Sequence, residues 1–206
     1  LSGLVAGVFF IAAGFSQIET TAIWTTISFT IALIIILILM RQDIAASRIA
    51  EGRATIDESI LWAFLGIFIA YGAQIVASII EQQLLGVQQT SENTQIITEV
   101  AKAMPIFIVV VAVFGPILEE VVFRKIIFGS LYKRFDFTIA ALVSSLVFGL
   151  THLDPVHLLT YTAIGFVFAF LYYKTKRIIV PIVAHVAMNS IVILLQVIFA
   201  DEIEKY

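Results

Sequence analysis

The run Ile31-Ala32-Leu33-Ile34-Ile35-Ile36-Leu37-Ile38-Leu39-Met40 holds no polar side chain, and the apolar stretch around it extends back to Ile23. A stretch of roughly 17 to 25 apolar residues crosses the hydrocarbon core as a helix, because a helix satisfies its own main-chain N–H and C=O groups inside lipid. The rest of the chain has the same character. Of 206 residues 61% are hydrophobic and 13% charged, and the mean hydropathy is +1.06. Soluble domains carry about 25% charged residues, so most of this chain reads as lipid-embedded. A net charge of -3 offers no basic field for nucleic acid, and the absence of cysteine excludes disulfides and thiolate sites.

Seven apolar segments follow from the same criterion. Leu1 to Phe15 is short and reads as the remaining part of a first span; Ile23 to Met40 is the second. Ser59 to Ile80 is the third, with Gly66, Gly72 and Ala73 as small positions where another helix can approach. Ala103 to about Phe123 is the fourth, with Pro105 in its first turn, where a missing N–H is tolerated. Phe137 to His152, Val156 to Tyr173 and Ile178 to Phe199 complete the set. Two links are long. Arg41 to Glu58 suits either an amphipathic interfacial stretch or a flexible loop, and Glu81 to Lys102 places Ile96, Ile97 and Val100 at helical spacing. With no internal repeat or second domain, the expectation is one all-α polytopic bundle over residues 1–206, its motif-bearing core at 103–199.

Basic residues in short links are retained on the cytoplasmic side. Arg41, Arg48 and Arg53 follow span two; Arg124, Lys125, Lys133 and Arg134 follow span four; Lys174, Lys176 and Arg177 follow span six. The other links and the tail hold only Lys102 and Lys205. This split puts Leu1 toward the cytoplasm and the tail from Asp201 to Tyr206 outside.

Inside the apolar runs stand Glu119, Glu120 and Arg124, then His152, then His185 and Asn189. A charged side chain at bilayer depth costs roughly 2.5 kcal/mol or more, so such groups are read first as functional. Phe148 and His152, and likewise His185 and Asn189, are four apart and share a helix face. Three helices can therefore bring a carboxylate pair, two imidazoles and an amide to one cavity. A carboxylate there can serve as general base, or Glu119, His152 and His185 can hold a zinc ion with one open position; no HExxH is present. Nucleophilic catalysis is the weakest reading, since the serines lack a His–Asp arrangement. The bland readings are a structural ion pair for Glu119, Glu120 and Arg124, an interfacial position for His152, and interhelical hydrogen bonds for His185 and Asn189. His157 follows the Asp154-Pro155 turn and reads as an interfacial or helix-start residue, and Gly165, Phe166, Phe168 and Phe170 as packing or lipid contacts.

Glu119-Glu120-x-x-x-Arg124, Phe148-x-x-x-His152 and His185-x-x-x-Asn189, in this order on successive spans, resemble the three motifs of the CAAX-protease and bacteriocin-processing family of intramembrane proteases. The resemblance covers Glu119 to Asn189 and implies an endopeptidase acting on a membrane-associated or lipid-modified peptide. It implies that Glu119 and His152 activate a water and that His185 and Asn189 stabilise the oxyanion. Glu120, Arg124 and Phe148 become supports. No cofactor is expected, with zinc as the alternative; the partners are a peptide or protein substrate and the lipid bilayer. The short chain without large insertions fits a multi-pass protein of a prokaryotic cell membrane. Two rivals stand beside the protease: a peptide-sequestering self-immunity protein on this scaffold, and a proton-coupled carrier, which lacks the matched interrupted spans of internal repeats. At 1.5 Å per residue His185 lies about 10 Å and His152 about 22 Å from the basic starts of their spans. They share a level if the fourth helix runs on through Lys125 to Arg134 beyond the membrane and Phe137 also starts outside it, which predicts a cavity reached from the cytoplasm or sideways from lipid.

Overall fold

The computed structural model describes residues 7, 10–47, 52–86 and 92–198. Its regular elements among these residues are helices: α1 (Gln17–Ser47), α2 (Ile56–Leu85), α3 (Glu92–Ala103), α4 (Ile106–Tyr132), α5 (Phe137–Leu150), α6 (Leu158–Thr175) and α7 (Ile179–Ile198). The all-α polytopic bundle is the observed fold. Helices α1, α2, α4, α6 and α7 are long and apolar enough to cross a membrane, whereas α5, with 14 residues, is about 21 Å long and shorter than the ~30 Å core. Spans two to seven correspond to α1, α2, α4, α5, α6 and α7. The first span falls largely outside the described residues, as do residues 48–51 of the link after α1. Where that link is described, it continues α1 to Ser47 and then turns into α2.

Local chemistry sets the helix ends. Thr55 accepts from the main chain of Glu58, and the Glu58 carboxylate accepts from Thr55 N–H at 2.7 Å, so a reciprocal cap starts α2. Gly86, at φ 64°, closes it in the left-handed conformation that glycine adopts without strain. Asp136 caps α5 by accepting from Thr138 and Ile139 N–H. On α3 the predicted periodicity holds in part. Val100, Ala101 and Ile97 pack on Ala22 of α1 and on Phe107 and Val110 of α4, while Ile96 faces outward.

The centre is built from α2, α6 and α7, where Ala63, Ala70, Phe168, Leu171, Ala184 and Met188 are buried together. Gly66 is required there: a Cβ on it would stand 2.5 Å from a Leu171 methyl. Gly72, by contrast, meets nothing within 4 Å, so only Gly66 serves as the close-approach glycine expected on this span. Helices α5 and α6 cross closely at Gly149 and Gly165, and a Cβ on Gly165 would meet the Phe148 ring at 3.0 Å.

Helix α4 is not uniform. It has π-helical turns at Val110–Phe114 and Glu120–Phe128. The first precedes Pro116, whose ring clashes with the carbonyl four residues back in a regular α-helix; a wider turn relieves that clash.

The basic links gather at one end of the bundle. Ala54 N–H donates to Thr175 O, Arg177 Nε donates to Ala54 O at 2.6 Å, and Tyr132 meets Tyr173 with ring centroids 5.4 Å apart. Arg124 is a correction to the sequence reading. It is not a link residue but is wholly buried, because α4 runs on to Tyr132 instead of ending near Phe123.

Candidate active site

Glu119 and Glu120 stand where α4 passes from an α-helical to a π-helical turn. Neighbouring helix residues point about 100° apart, so the two carboxylates enter different surroundings. Glu120 is wholly buried; one oxygen lies 3.1 Å from Arg124 Nε and the other accepts from His185 Nδ1 at 3.0 Å. The Arg124 guanidinium is equally buried, with its Cζ 4.8 Å from the Phe148 ring centroid and 5.8 Å from that of Phe168. Its hydrogens are not aimed at Glu120, so the pair is held by charge and by aromatic faces more than by a linear hydrogen bond. Glu119 points elsewhere. Its side chain is 32% exposed and faces a cavity of about 380 Å³.

His185, on α7, links the two carboxylates. Its ring stacks on Phe168 at 4.5 Å, and its Nε2 lies 3.7 Å from Glu119, beyond hydrogen-bond reach. Asn189, one turn on, directs Nδ2 at Val111 O at 3.5 Å. That carbonyl is available for a main-chain reason. Gly115 N–H is taken by Val110 O, and residue 116, a proline, has no N–H to give.

His152 departs from the helical face expected of it, since α5 ends at Leu150 and the histidine lies in the following turn. The last carbonyls of a helix need donors from outside it. Thr151 Oγ1 donates to Phe148 O at 2.7 Å, and His152 Nδ1 lies 2.9 Å from the same oxygen. A carbonyl only accepts, so Nδ1 carries hydrogen and Nε2 is the nitrogen left for chemistry. The ring is held on both sides, 4.7 Å from Phe148 and stacked on Tyr161 at 4.0 Å.

Glu119, Phe148, His152, His185 and Asn189 thus line one cavity, and Glu120 with Arg124 lies behind it. His157 pairs instead with Asp154 at 3.2 Å, away from the lining. Sequence reasoning missed Tyr161 and assigned Phe168 and Gly165 to general packing, although one stacks under His185 and the other seats Phe148. It also left Glu81 in a polar link. Glu81 is buried within α2 and accepts from Thr160 N–H and Oγ1 at 2.9 and 2.7 Å, capping the helix that carries Tyr161.

Helix α4 continues to Tyr132, the extension expected of the fourth span, and stops two residues short of Arg134. The cavity lies toward one end of the bundle. Thr151, Leu153, Ile97 and Gln196 border the cavity, and they follow α5, belong to α3 or close α7, at the end away from the basic links. Leu153 is 89% exposed there. For a metal, Glu119, His152 and His185 would have to converge. Among the described residues no three His, Asp or Glu side chains are so disposed.

A family model described as Type II CAAX prenyl endopeptidase Rce1-like matches residues 101–191, the segment that holds Glu119, Glu120, Arg124, Phe148, His152, His185 and Asn189. Over 182 residues the chain is 46% identical to the Bacillus subtilis (strain 168) protein named "Putative membrane peptidase YdiL", covering 88% of this chain and 74% of that one. The chain belongs to the Rce1-like CAAX protease family. It is also 40% identical over 150 residues to "Membrane-embedded CAAX protease MroQ" of Staphylococcus aureus (strain USA300), covering 70% of this chain and 61% of MroQ. A Lactococcus lactis protein, "UPF0177 protein YxdF", is 31% identical over 81 residues, which is 39% of this chain and 44% of that one. No solved structure matches. As a member of this family the chain is a CAAX-type membrane protease.

Proposed function

We propose that this protease hydrolyses a peptide bond of a membrane-associated or lipid-modified protein or peptide with a water activated by Glu119. The observation that carries the reading is the meeting of Glu119, His152 and the His185–Asn189 pair, from three elements, on one cavity. Glu119 and Nε2 of His152 are both acceptors, so each can take one hydrogen of a water between them and aim its oxygen at the scissile carbonyl. The water proton passes to Glu119 as its oxygen bonds to the carbonyl carbon. The oxyanion that forms accepts from His185 Nε2–H and Asn189 Nδ2–H, donors fixed in advance in a partly dry site. Glu119 then returns the proton to the amide nitrogen as the C–N bond breaks, leaving a carboxylic acid and an amine; the acid's remaining proton passes to the amine or to solvent.

Glu120 makes His185 a donor at both nitrogens. With Nδ1–H given to Glu120, donation from Nε2 to the oxyanion requires a hydrogen on both nitrogens, and the ring's charge and that of Arg124 then balance the two glutamates. A zinc-dependent version using Glu119, His152 and His185 finds no support in the disposition of those side chains. The test is cleavage by purified protein in lipid nanodiscs. Asn189→Ala lowers kcat about 10²-fold with little change in KM, as for other lost oxyanion donors, and exhaustive chelation leaves the wild-type rate intact. Loss of activity on chelation, restored by zinc, would reverse the metal-free reading.

The basic end is proposed to face the cytoplasm, as the lysine and arginine distribution implies, with the C-terminus outside. The cavity then opens toward the outer half. The chain has no cysteine, so single substitutions report without background. In intact cells an impermeant maleimide labels Leu153→Cys and spares Lys133→Cys; the reverse pattern would invert the orientation.

A further inference from the structure

Along α2, Tyr71, Gln74, Ser78 and Glu81 recur at steps of three and four and form one polar stripe in an apolar span. Three of them are satisfied by neighbouring helices. Tyr71 Oη donates to Met188 O at 3.1 Å, Ser78 Oγ lies 3.2 Å from Thr160 Oγ1, and Glu81 takes two hydrogen bonds from Thr160. Gln74 is different. Its Oε1 is buried and meets no protein donor, and the residue lines the cavity that holds Glu119, His152, His185 and Asn189.

Tyr71 anchors α2 to the residue before Asn189, and Gln74 stands one turn further along the same face. A carboxamide at that place adds no charge to a site already containing Glu119. It offers both an acceptor and donors, the complement of a peptide group. Its buried oxygen makes no contact with a donor on the packed helices, and a glutamine within a span is unfavourable unless paired. We propose that Gln74 is a substrate-binding residue whose amide hydrogen-bonds a main-chain peptide group of the bound substrate beside the scissile bond. This extends the site into α2, outside the segment matched by the family model, and rests on the hydrolytic reading above.

The experiment compares wild type, Gln74→Met and Gln74→Asn in nanodiscs, using an internally quenched prenylated CAAX peptide and an unprenylated peptide of the same sequence. Kinetics are taken on whichever the wild type cleaves. Both variants raise KM about tenfold with kcat within about twofold, the signature of one lost binding hydrogen bond. Gln74→Met also keeps or raises Tm, since the apolar side chain removes a buried carbonyl with no protein donor. A KM within twofold of wild type, a loss of kcat at unchanged KM, or a fall in Tm that tracks the activity overturns the assignment. The same peptides are titrated by fluorescence anisotropy in a Glu119→Gln background, where Gln74→Met weakens Kd by a similar factor. Cleavage surviving Glu119→Gln defeats the hydrolytic reading and leaves the Gln74 comparison readable; an unchanged Kd defeats the Gln74 assignment alone.

Discussion

Glu119→Gln yields a folded protein whose kcat is lower by about 10⁴-fold, near the upper end of what a positioned general base contributes. The substitution keeps the size and the polar character of the side chain but removes its ability to take a proton from water. Stability is unaffected, because the side chain is partly exposed and approaches His185 no closer than 3.7 Å. KM moves little, since substrate and transition state lose no common contact. A variant that retains cleavage within tenfold of wild type would remove Glu119 from the chemistry.

The second large effect is on folding. Arg124→Met leaves Glu120 charged and enclosed with only His185 for a partner, and breaking a buried pair from one side costs about 3–5 kcal/mol. For a chain of this length that lowers Tm by about 10 °C or more. The companion Glu120→Gln/Arg124→Met removes both charges and recovers most of the loss, because a buried pair replaced whole is often neutral. Activity does not return with stability, as His185 has then lost the carboxylate that fixes its Nδ1 hydrogen. A single variant as stable as wild type would show that the pair is not enclosed as described.

Hydropathy was enough to read the helical bundle and six of its helices, because lipid admits few alternatives to an apolar helix. The motif residues were also legible, since Glu119, His152, His185 and Asn189 are polar groups in runs that otherwise exclude them. What lay beyond reach depended on neighbours. Arg124 looks like the start of a basic stop, and only the aromatic faces of Phe148 and Phe168 explain why a guanidinium is enclosed there. Phe137 to His152 reads as one apolar segment, yet the helix ends at Leu150, where Thr151 and His152 turn back to the Phe148 carbonyl. Glu81 looks like the first residue of a polar link because its partner, Thr160, is far away in sequence. The stripe from Tyr71 to Glu81 did carry a signal, a heptad-like recurrence of polar residues within a span.

Pro116 has a consequence for how freely this sequence can drift. The carbonyl that receives Asn189 is exposed by a missing main-chain hydrogen and a widened turn, not by any particular side chain. Val110, Val111 and Val113 can therefore be exchanged for other apolar residues of similar bulk without moving the amide of Asn189. An inserted or deleted residue between Val110 and Pro116 cannot be absorbed, because it would pair a different carbonyl with the proline. Inheritance of the site in this segment thus falls on spacing and on one imino acid, while the neighbouring side chains need only stay apolar and of similar bulk.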